Sequence, residues 1–113
     1  MQFESTTLTD NITRIALDGR LDLEGTQAIE QKFSFATTTR AAKIIVDLSG
    51  VTFLTSIGIR MLVASARAQA NRGGKMVLAA PSALVRNVLE TAGIDQLIPL
   101  AVDVEAAKAA VAG

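Results

Sequence analysis

The chain has 113 residues, of which half are apolar, four are aromatic and all four of those Phe, with 11 basic side chains balanced by 11 acidic ones. That size predicts a single domain over residues 1–113 with one core, and the Ala, Val, Ile and Leu content suits helices packed on an aliphatic sheet. Balanced charge without Trp or Tyr gives nucleic acid neither a global field nor stacking platforms, and the lack of His and Cys excludes Ser-His-Asp and Cys-His catalysis, disulfides and the usual zinc sites.

The first ten residues, "MQFESTTLTD", lack the basic and apolar regions of a secretory signal, and no apolar run approaches the roughly 18 residues that span a bilayer. A cytoplasmic protein with no membrane partner is expected. An extended stretch at Phe3 to Thr9, the turn "TDN" and the alternating "ITRIAL" (Ile12 to Leu17) predict an antiparallel hairpin. After "DGRLD" a helical stripe follows at Leu23, Ala28, Ile29, Lys32, Phe33 and Ala36, which Asp22 would cap and which ends among "TTTR". "KIIVDLSG" (Lys43 to Gly50) is a short, continuous apolar run closed by Asp-Leu-Ser-Gly, as in a strand buried on both faces in mid-sheet.

From Ile57 to Asn71 the pattern is helical, with Arg60, Arg67 and Asn71 on one line along its surface, and "NRGGK" supplies the stop. "MVLAA" predicts a buried strand, Pro81 and Ser82 open a helix through about Thr91, and Gly93 ends it. "IDQLIPLAV" predicts a last short strand, and Val104 to Val111 a terminal helix. The alternation predicts an α/β fold: a mixed, mostly parallel sheet opened by the antiparallel hairpin, with about four helices and no repeats or linkers.

Little in this chain carries chemistry. The pair Gly73-Gly74 follows a helix and precedes a strand, the reverse of the order a phosphate-binding loop needs. Asp18, Asp22, Asp47, Asp95 and Asp103 form no paired motif and read as turn formers and caps. An enzyme is not expected, nor a cofactor, nor a metal.

What remains is "FLTSIGIR", Phe53 to Arg60, where a strand hands over directly to a helix through two hydroxyls, Thr55 and Ser56. Strand ends of this kind face the crevice where ligands and partners bind in open α/β sheets. One reading is helix capping, although the third residue after Ser56 is Ile59 rather than Glu or Gln, so a capping box is missing. The other is a phosphoacceptor: a phosphate on Ser56 would meet the positive end of the helix dipole, with Arg60 four residues on to hold it. Ile57, Ile59, Met61 and Val63 cannot all face the sheet, so some pack on a neighbouring helix or form an apolar docking surface.

Three segments resemble the STAS domain, the fold of bacterial anti-sigma factor antagonists and of sulphate-transporter tails: "LDGRLD" (Leu17 to Asp22) is similar to the family's Gly-x-Leu-Asp segment, "IIVDLSGVTFLTSIGIR" (Ile44 to Arg60) to its Asp-Leu-Ser signature, and "APSALVRNVLETAGID" to its strand-Pro-helix-Gly segment. The resemblance spans nearly the whole chain. It implies a phosphorylation switch in transcription regulation: the unmodified protein binds an anti-sigma or switch-protein serine kinase and releases the sigma factor or other target, phosphorylation at Ser56 abolishes binding, and a metal-dependent PPM-type serine phosphatase reverses it. It further implies a partner-binding surface made of Gly19, Leu21, Asp22, Thr55, Ser56, Ile57, Gly58, Ile59 and Arg60. The family commonly carries Asp before the phosphoserine and a second Ser after it, where this chain has Thr55 and Ile57, so Thr55 stands as a second candidate acceptor. STAS domains also resemble accessory subunits that brace the ATPase of lipid-transporting ABC systems, which implies the alternative of a constitutive scaffold.

Overall fold

The computed structural model describes residues 1–8, 11–39 and 41–112. In chain order they form β1 (Gln2–Thr7), β2 (Ile12–Leu21), α1 (Leu23–Thr38), β3 (Lys43–Leu54), α2 (Ser56–Asn71), β4 (Lys75–Ala79), α3 (Ala83–Thr91), a 3-10 turn at Ile94–Gln96, β5 (Leu100–Ala101) and α4 (Val104–Ala112). The strands lie in one sheet in the order β1-β2-β3-β4-β5, with β1 antiparallel to β2 and every other pair parallel. The expected hairpin is present, although Thr9 and Asp10 of its turn lie outside the described residues; Asn11 has a left-handed φ of 63°.

Strand β3 sits mid-sheet because both of its faces are apolar. Ile44, Val46 and Leu48 enter the main core with Ile15 and Leu17 of β2, Phe33 of α1, Leu62 of α2, and Val85 and Leu89 of α3. Ile45 points the other way, into a smaller core that Ala107 and Val111 of α4 close. Helices α1, α2 and α3 therefore cover one face of the sheet and α4 the other, each burying one stripe, as sheet-based layers require.

Two expectations need correction. The inward stripe of α1 is Gly25, Thr26, Ile29, Phe33 and Thr37, whereas Leu23 is 55% exposed and Ala28 and Lys32 face solvent. Only Ile29 and Phe33, with Ala36 half-buried, survive from the predicted set, because the small Gly25 and Thr26 let the first turn approach the sheet. The last strand is also shorter than expected. After Gly93 (φ 75°), Leu97 and Ile98 both donate to the Ile94 carbonyl, and this tight turn drives Ile94 and Ile98 into the core. Only Leu100 and Ala101 remain to pair with β4.

The glycine stop after α2 is a Schellman motif. The Gly74 N–H donates to Gln69 at 2.8 Å and the Gly73 N–H to Ala70 at 3.2 Å, with Gly73 at φ 84°.

Candidate functional site

Strand β4 pairs with β3 only over Lys43 to Asp47, but β2 and β3 stay paired as far as Leu21 and Leu54. The two strands thus extend beyond the rest of the parallel sheet and hand over to α1 and α2 side by side. Register shifts near Ala16 and Gly19 mark this extension, and Gly19 takes a φ of 121° there. The carbonyl of Leu21 then ties the two junctions together by accepting from the Thr55 N–H at 3.1 Å and from the Thr55 hydroxyl at 2.9 Å.

The two hydroxyls consequently have different fates. Thr55 occupies the N-cap position of α2 by its backbone, but its side chain is turned back to β2 and caps nothing. Ser56 is the first residue of α2, exposed, and its hydroxyl has no hydrogen-bond partner among the described residues. Helix capping, expected for one or both, is realised by neither. The other helices are capped: the Asp22 carboxylate accepts from the Gly25 N–H at 2.9 Å, the Ser82 hydroxyl from Val85 at 3.2 Å, and the Asp103 carboxylate from Ala106 at 2.7 Å. Helix α2 also has no acidic residue in its first turn, so no carboxylate of its own first turn offsets its positive end.

Asp22 works on α1 as its sequence position implied. The Gly25 N–H, and after it Arg20, whose Nε lies 3.2 Å from the carboxylate, hold its carboxyl below the usual carboxylate range. Leu21 is fully buried and Gly58 is buried, so these two members of the expected partner surface act from beneath it. A Cβ on Gly58 would lie 2.9 Å from Leu21 Cβ and 3.0 Å from both the Leu21 oxygen and Leu54 Cδ1, which is why the first turn of α2 needs glycine. Gly19 and Ile57 are half-buried, while Arg60 is exposed and forms no ion pair among the described residues. Ile59, Met61 and Val63 pack on the main core while staying partly exposed, as Ile57 does.

Sequence reasoning missed two residues beside the junction. Arg20 and Phe53 are register partners across β2 and β3, and the Arg20 guanidinium carbon lies 4.3 Å from the centre of the Phe53 ring, which is 37% exposed. The signal was the alternation continuing past Leu17 into "DGRL", which brings "RL" opposite "FL". Among the described residues no group of carboxylates is arranged to hold a metal ion. The Gly73-Gly74 pair lies in the turn before β4, away from this junction.

The family model described as "Mlab, STAS domain" matches residues 4–99, and the chain belongs to the STAS domain family. An anti-sigma factor antagonist from Mycobacterium paratuberculosis matches with a TM-score of 0.87 at 23% identity, over 99% of this chain and 94% of that one. The anti-sigma factor antagonist SpoIIAA in its unphosphorylated form matches with a TM-score of 0.75 at 27% identity, over 93% of this chain and 92% of that one. The phosphorylated form of SpoIIAA, a Bacillus cell fate determinant, matches with a TM-score of 0.71 at 25% identity, over 96% and 99%. No curated protein matches the chain.

Proposed function

We propose that the chain is a phosphorylation-controlled anti-sigma factor antagonist, a cytoplasmic binding module rather than an enzyme, with Ser56 as the acceptor. The observation that carries this reading is the exposed, unpartnered Ser56 hydroxyl on the uncapped end of α2. Thr55 is the poorer acceptor because its hydroxyl is half-buried and already donates to Leu21. The likeness to SpoIIAA, solved in both phosphorylated and unphosphorylated forms, supports the same reading.

In this scheme the chemistry belongs to the partners. A serine kinase brings ATP to the junction; Ser56 Oγ attacks the γ-phosphorus, the bond to the bridging oxygen breaks, ADP leaves and the hydroxyl proton passes to a base of the kinase. A PPM-type phosphatase delivers a water to the phosphoserine and restores the hydroxyl. The phosphate adds about −1.5 to −2 charges. The free N–H groups of α2 tolerate that charge, but a docked surface must strip the phosphate of water to stay in place.

The test compares kinase binding by calorimetry. Ser56→Ala should bind like wild type and Ser56→Asp at least about tenfold more weakly, a loss of about 1.4 kcal/mol. Equal binding by both would contradict the switch. An Asp at the first position of α2 should also raise stability by about 0.3–1 kcal/mol, so weaker binding would not reflect unfolding.

A further inference from the structure

The total charge of zero conceals a strong segregation. Residues 48–89 contain none of the 11 acidic residues, but five of the 11 cations: Arg60, Arg67, Arg72, Lys75 and Arg86. The rest of the chain holds six cations against all 11 acids. On α2, Ser56, Arg60, Arg67 and Asn71 fall on one exposed line, since offsets of 4, 7 and 4 residues advance little around a helix. Neither arginine on this line has a carboxylate partner among the described residues, and the exposed Ala64 and Ala70 beside them do not overhang it.

We propose that this line, running about 22 Å from Ser56 to Asn71, is a docking ridge for an acidic protein surface, namely that of the kinase which modifies Ser56. The proposal rests on the phosphoacceptor reading, and deepens it by giving the partner a charge and a direction of approach. The ridge begins at the acceptor, so a kinase that reaches Ser56 has α2 immediately beneath it. A protein fits better than nucleic acid, because α2 carries no aromatic residue for stacking and the chain as a whole is neutral.

Distance separates the roles of the two arginines. Arg60 lies about 6 Å along the axis from Ser56 and Arg67 about 16 Å, against a screening length of about 8 Å at physiological salt. A phosphate on Ser56 therefore cancels the attraction of Arg60 and leaves that of Arg67 almost intact. Arg60 belongs to the switch, whereas Arg67 sets the encounter rate in both states.

The test measures the rate at which phosphate enters Ser56 in extract from the source cells, at sub-saturating protein and two salt concentrations. Arg67→Glu should slow labelling about tenfold in low salt and much less in 0.5 M salt, while Lys108→Glu, an equal charge change on α4, should leave it unchanged. Labelling of wild type and Arg67→Glu at one rate would overturn the ridge and spare the acceptor; no labelling of wild type would overturn both. As a second measurement, a synthetic glutamate-rich peptide should shift the NMR amide signals of Arg60 to Asn71. Tighter, salt-sensitive binding of that line to an oligonucleotide or an anionic lipid vesicle would also overturn it.

Discussion

At the residue scale, Gly58 decides how closely α2 can approach the ends of β2 and β3. A methyl group there meets Leu21 and Leu54 at or below 3.0 Å, so Gly58→Ala should destabilise the fold by about 1–3 kcal/mol in urea titration, although Ala is the better helix former by about 1 kcal/mol. Unchanged stability would mean that α2 lifts away freely. Asp47 is the other residue with a large stake: it is 4% exposed and takes Arg14 Nη2 at 2.6 Å and the Ser49 N–H at 2.9 Å. Burial pushes its carboxyl up, but the Ser49 hydrogen bonds and Arg14 together hold it below the usual range. A lowered carboxyl pKa stabilises the fold at every pH above about 4, and that contribution is lost as the pH falls through the folded-state value. Asp47→Asn should therefore flatten the acid limb of the melting temperature against pH, and an unaltered limb would contradict the pairing. Removing Arg14 strands a buried carboxylate and should cost about 3 kcal/mol, more than removing Asp47, whose arginine partner stays partly in water.

At the element scale, α1 and α2 are joined by a polar lock as well as by apolar contact. The Thr37 hydroxyl donates to the Phe33 carbonyl at 2.7 Å and is 2.9 Å from the Ser65 hydroxyl, while the fully buried Gln69 donates to the Thr37 carbonyl and accepts from the Ala42 N–H at 2.9 Å. Gln69→Leu leaves the Ala42 and Thr37 groups unsatisfied, so it should cost about 2–4 kcal/mol and speed hydrogen exchange at the Ala42 amide. Unchanged exchange would show that another group already protects that amide. None of this lock was legible in the sequence, where only Arg60, Arg67 and Asn71 stood out along this helix and Gln69 did not. Asp22 as the cap of α1 was legible because capping is local, as was β3 from its unbroken apolar run. The stripe of α1 was misplaced because helix spacing fixes a period and tertiary contact chooses its phase. The short β5 was overestimated because the i, i+4 burial of Ile94 and Ile98 favours a tight turn over an extended chain.

At the scale of the whole molecule, alternating strands and helices with short connections were enough to anticipate the mixed sheet, since few topologies satisfy them. The strand-helix junction was legible as a place, because Thr55 and Ser56 stand where punctuation is expected and absent. Which hydroxyl is free was not, since it depends on the Leu21 carbonyl, 34 positions before Thr55 in the chain. The line of Arg60, Arg67 and Asn71 was legible from helical spacing, whereas the lack of acids along residues 48–89 is masked by a total charge of zero. The most direct measurement is intact mass and peptide mapping after incubation with ATP and source-cell extract, on wild type, Ser56→Ala and Thr55→Ala. One phosphate that disappears only in Ser56→Ala is the expected result. Loss only in Thr55→Ala would contradict the assignment of Ser56, and no phosphate on any form, with a control substrate labelled in the same extract, would contradict the switch and favour a constitutive STAS scaffold, to be sought by copurification with an ABC-transporter ATPase.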